Sequence, residues 1–159
     1  MSKRIATALL IGLLASFPAI LPATVAADSH IDEARIVEIL QALDDRSMPA
    51  TTRLEFFHDD AVIMAPNEAP IRGRIALLKH LTDAAAAEGI QHTHYTRTVE
   101  RFDNIVVAEG GGRGEWRDNP DSEPVAFATN NVILFREDDS GTLKIWKVIF
   151  NSAPVADDG

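Results

Sequence analysis

His92 and His94 stand two apart in a run of residues with strand character, so both side chains fall on one face. A His-x-His pair on a strand can hold a metal or supply a general base. Two histidines alone leave a divalent ion short of ligands, no histidine follows His94, and Glu100 is too far along the strand to complete a set. The pair therefore reads first as a strand end with a histidine at a pocket rim, second as a base, and no metal is expected. Tyr95, the chain's single tyrosine, is either a proton donor or a partly buried amphipathic group. Asn130 and Asn131 interrupt an apolar strand, with Phe127, Thr129, Asn131, Ile133 and Phe135 sharing one parity. A buried asparagine needs partners for its amide, which either the backbone or a ligand can supply.

Other groups carry less chemistry. Asp59 and Asp60 precede a strand, where acids commonly cap and solvate. Trp116, Trp146 and Phe150 read as core or dimer contacts before substrate platforms, although both tryptophans stay among the pocket candidates. Cysteine is absent, which removes thiol nucleophiles, thiolate metal sites and cysteine-linked lipid anchors. No G-x-S-x-G elbow or P-loop occurs. Glu115 in "GGGRGEW" stands where a dinucleotide fingerprint requires glycine, so no cofactor is expected.

The elements that must position these groups follow from periodicity. Residues 1–27 have the layout of a secretory signal peptide: Lys3 and Arg4, an apolar run from Ile5 to Leu21 broken by Pro18, and the small residues Val25-Ala26-Ala27. That run is shorter than the roughly 20 residues a spanning helix needs. The expectation is export, periplasmic or secreted, with one domain over residues 28–155 and a disordered tail at 156–159. The formal charge of −9 becomes more negative once the leader is gone, which disfavours nucleic acid and anionic membrane as partners.

Ser29 is placed to cap a first helix with an apolar stripe at Ile36, Ile39, Leu40 and Leu43. Its opposite face (Glu33, Glu38, Asp44, Asp45) reads as solvated. A short helix after Pro49, with Thr52 and Glu55 as a capping box, precedes a strand from Ala61 to Ala65 ended by Pro66. Gly73 introduces a third helix, from Arg74 to Ala87, stopped near Gly89. Four long strands follow, at His92–Phe102, Ile105–Arg117, Val125–Arg136 and Leu143–Ser152. Their short connections demand an antiparallel meander. Strands of that length in a small domain must bend, and Gly110, Gly111, Gly112 and Gly114 offer the place. The fold class is α+β, three helices against a curved antiparallel sheet.

In "FFHDDAVIMAP" (56–66), the "IRGR" turn (71–74) and the closing "GTLKIWKVIFNS" (141–152), the chain resembles the nuclear transport factor 2-like superfamily, in its SnoaL-like and ketosteroid-isomerase-like branch. The resemblance covers the mature chain. It implies a cone-shaped α+β barrel with an internal pocket, often a homodimer through the sheet, and activities from isomerase, dehydratase and hydrolase to pure binding. It puts the isomerase base at Ala65, which cannot accept a proton. The helical tyrosine falls near Ile39 and the protonated aspartate at about Asn131, whose amide can still donate. With the base missing, the first expectation is a pocket protein for a small, largely apolar molecule. The second is an acid–base isomerase, dehydratase or hydrolase using His94, Tyr95 or Asn131. The third is a dimerisation domain with a filled cone.

Overall fold

Ile36, Ile39 and Leu40 recur at helical spacing and are buried together, which is why the first helix docks on the sheet. The computed structural model describes residues 24–155 except 88 and 120, with side chains from residue 32 onward. Most of the expected leader, the tail at 156–159 and Pro120 lie outside the described residues.

Helix α1 spans Thr24–Asp44, so Ser29 lies inside it and does not cap it; Ala26 and Ala27, strong helix formers, extend the helix upstream. Helix α2 is Ala50–Leu54, opened by Pro49 with no side-chain cap. The expected Thr52–Glu55 box is absent because Glu55 closes the helix and pairs with Arg74. Helix α3 is Gly73–Ala86, and it buries Leu77 and Leu81.

The strands are β1 (Phe57–Met64), β2 (Ile71–Arg72), β3 (Gln91–Phe102), β4 (Ile105–Trp116), β5 (Val125–Glu137) and β6 (Leu143–Ala153), in the order β2-β1-β6-β5-β4-β3. β3 to β6 form the expected antiparallel meander. β1 starts earlier than its sequence pattern suggested and joins β6 in parallel, while the two-residue β2, not anticipated, pairs with its far edge. The sheet is thus mixed and open-edged.

Three register shifts interrupt it: one between Phe57 and Val62 where β1 meets β6, and two single-residue bulges. Arg97 is the extra residue between Thr96 and Thr98, opposite Gly110 and Glu109, and Trp146 is the extra residue in β6 opposite Leu134 and Phe135. The concave face carries Val106, Ala108, Ile133, Phe135 and Ile145 into the core under the helices. Asp32 on α1 grips Arg101 on β3 through two oxygens, at 2.5 and 2.7 Å, and fixes how α1 crosses the strand.

Candidate active site

Between the helices and the concave face lies a cavity of about 410 Å³. Phe127, Thr129, Asn131 and Ile133 reach it from β5, as their shared parity requires, and Phe57, Ile145 and Phe150 add apolar wall. The cone is not packed shut.

His92 and His94 point into this cavity from β3, their rings 4.3 Å apart and edge to face. His92 has room because the strand opposite carries glycine: a Cβ at Gly112 would lie 1.9 Å from His92 Nε2. Burial, with the nearby His94 second, pushes His92 down to about 4, so its ring is neutral near pH 7. Its Nε2 is sealed and without a partner among the described residues.

The decisive neighbour of His94 comes from the end of α1. Asp44 Oδ1 lies 2.6 Å from His94 Nδ1, and Asp44 Oδ2 accepts the His94 backbone N–H at 2.8 Å. Both groups are mostly shielded from solvent. The assignment of Asp44 to a solvated helix face is corrected: docking of α1 on β3 turns the helix's last turn inward. With Nδ1 held by a carboxylate, His94 has Nε2 left for chemistry, and that atom is not among the sealed, unpartnered ones.

Asn131 is 7% exposed. Thr129 Oγ1 donates to its Oδ1 at 3.2 Å, which leaves the amide NH₂ as the free, donating end. Arg46, Arg53 and His80 complete the polar lining, and burial lowers the pKa of His80. None of these three, nor Asp44, was singled out from sequence.

Asp44, His92 and His94 each bring a donor atom to within 4.8 Å of the others, a third group that the His-x-His spacing alone did not reveal. Both Asp44 oxygens already serve His94, and His92 Nε2 faces Gly112, so hydrogen bonds join Asp44 to His94 alone while the His92 ring packs edge to face against His94.

Tyr95, Trp116 and Trp146, counted with the pocket candidates, do not line this cavity. Tyr95 alternates with His94 and so faces the outer side, its hydroxyl accepting from Arg97 at 2.9 Å, in a wider recess of about 620 Å³ at the strand ends. Trp146, at the bulge, lies beneath Arg136 and Lys147 and donates to Asp60. Trp116 ends β4 at the sheet rim, 38% exposed. Asp59 and Asp60 form surface pairs with Arg74 and with His58 and Arg136.

No family model matches the sequence, and no curated protein is detectably similar to it. Solved structures match its shape. A ketosteroid isomerase-like protein from Erwinia carotovora atroseptica superposes with a TM-score of 0.67 at 14% identity, over 80% of this chain and 98% of that one. The chain has the nuclear transport factor 2-like fold. A nuclear transport factor 2-like protein with a cystatin-like fold from Novosphingobium aromaticivorans gives 0.64 at 13% identity, over 83% and 86% of the two chains. A Catenulispora acidiphila structure in complex with S-DNPA gives 0.59 at 18%, over 80% and 94%. Within this fold, the positions implied by the isomerase resemblance are occupied by Ala65 at the end of β1, fully buried Ile39 and cavity-lining Asn131. The Asp44–His94 pair lines the cavity from the end of α1 and from β3, four strands away from β1, and Ala65 does not line it.

Proposed function

We propose that the protein is a small-molecule acid–base enzyme of the isomerase or dehydratase type, with His94 as general base and Asp44 orienting it. The carrying observation is the 2.6 Å contact between Asp44 and His94 inside a mostly apolar cavity. A carboxylate on Nδ1 fixes the tautomer that leaves Nε2 bare and stabilises the imidazolium formed when Nε2 takes a proton. Asn131, its oxygen engaged by Thr129, donates its amide hydrogens to the oxygen on which negative charge develops. The imidazolium then returns the proton to another carbon, an isomerisation, or to a departing hydroxyl, a dehydration. Apolar walls exclude water and strengthen each of these interactions. The ketosteroid isomerase-like protein of the same fold supports the reaction class, and the missing base at Ala65 separates this chain from steroid-isomerase chemistry.

The test is a turnover screen of small β-hydroxy carbonyl compounds and unsaturated ketones. Saturable conversion that falls by about 10²- to 10⁴-fold in His94→Ala supports the reading. Conversion unaffected by that change contradicts it. Export and pairing of two copies through the convex sheet face remain part of the proposed picture, the latter favoured by exposed Ile149 on that face.

A further inference from the structure

The cavity wall carries positive charge that its own acids do not answer. Arg53, on α2, is 3% exposed and lines the cavity. Its Nη2 donates to Leu81 O at 2.8 Å, while its buried Nε has no partner among the described residues. Arg46 lines the same cavity, its Nη1 donating to Ala87 O at 2.8 Å and Ile90 O at 2.7 Å. Asp44 is the one carboxylate among the described lining residues, and both its oxygens serve His94. Asp45 attracts Arg53, but it is solvent-exposed and engaged by Ser47.

A guanidinium keeps its proton at any working pH, and burying it without a counter-charge is expensive. Burial, with Arg46 second, pulls the Arg53 pKa below its ordinary value, and the attraction of Asp45 opposes this without cancelling it. A fork of N–H donors matches a carboxylate in geometry as well as in sign.

We infer that the ligand of this cavity is a carboxylate on an apolar body, and that Arg53, with Arg46 beside it, is the specificity-determining cation that receives it. This rests on the cavity being the substrate site proposed above and names the substrate class. The apolar wall holds the body of the acid, the arginines hold its charged end, and His94 meets the carbon or hydroxyl that reacts.

The experiment compares acids with their own amides: benzoate and benzamide, phenylacetate and phenylacetamide, 4-phenylbutyrate and 4-phenylbutanamide. Affinity is read by calorimetry and by thermal shift. In the unaltered protein at least one acid should bind about tenfold tighter than its amide. Arg53→Met should reduce that preference to about twofold or less, and Arg53→Lys should keep part of it. The acid preference is read by binding alone and proton transfer by turnover in His94→Ala, so acid recognition and proton transfer stand or fall separately. Acids no tighter than amides across all three pairs, absence of binding by every acid included, would overturn the inference even if Arg53→Met fails to fold. A folded Arg53→Met protein that retains the preference would overturn it as well.

Discussion

Asp44 and His94, fifty residues apart in sequence, are joined twice: ring to carboxylate at 2.6 Å and backbone N–H to carboxylate at 2.8 Å. One contact orients the imidazole and the other holds the strand that carries it. The pair therefore couples the position of α1 to the chemistry available on β3. Asp44→Asn should leave the fold intact but lose the charge that holds the His94 proton on Nδ1. The hydrogen-bonded Nδ1–H resonance expected in the unaltered protein should weaken or move upfield, and turnover should fall about a hundredfold. An unchanged ring spectrum would contradict the pairing.

His92 makes stability depend on acid. Its folded value of about 4 lies below its ordinary 6.5, so the unfolded chain binds the proton first. Its contribution is complete above pH 6.5 and is lost as pH falls through 4. Asp44 opposes this shift, while Arg46 and His94 reinforce it. His92→Gln should flatten the fall in Tm between pH 6.5 and 4, leaving the part due to His80, which burial shifts the same way. Equal slopes in the two proteins would show that His92 is not held neutral.

Gly112 clears the space that His92 occupies. Adding one methyl group there puts carbon 1.9 Å from Nε2, so the ring must move or the strands must part. Gly112→Ala should cost about 1–3 kcal/mol in urea unfolding and disturb the His92 ring signals. Ala at Gly141, where nothing lies within 4 Å, should leave those signals alone.

Asp32 and Arg101 hold α1 on β3 from near the middle of the helix. Asp32 is 4% exposed, and its removal strands a partly buried guanidinium that then keeps only Glu137 and a backbone carbonyl. Asp32→Ala should destabilise by about 1.5–3 kcal/mol in urea unfolding, the range for losing hydrogen bonds to a charged group that Glu137 still answers. A loss below about 0.5 kcal/mol would place the docking of α1 in its apolar stripe alone.

The long strands, the third helix and the parity that Asn131 shares with Phe127, Thr129, Ile133 and Phe135 were legible because each follows from periodicity over many residues; which face turns inward was not. The parallel β1–β6 pairing was not, since it depends on where two segments far apart in sequence meet at a sheet edge. Asp44 was misread for a related reason. It ends a helix beside other acids, a local pattern that also describes a solvated face, and only docking against β3 distinguishes the two. Arg53 gave one faint signal, a basic residue directly before buried Leu54, and its burial depends on α3 closing over it. Tyr95 follows His94 by one residue, and strand alternation alone sends it to the outer face.

The most direct measurement is solvent deuterium incorporation, followed by proton NMR in D₂O, into a carbon acid that the unaltered protein accepts. Proton abstraction by His94 predicts exchange at that carbon, slowed about a hundredfold or more in His94→Gln and in Asp44→Asn while both variants still bind the ligand. Exchange or turnover at the unaltered rate in either variant would contradict the account.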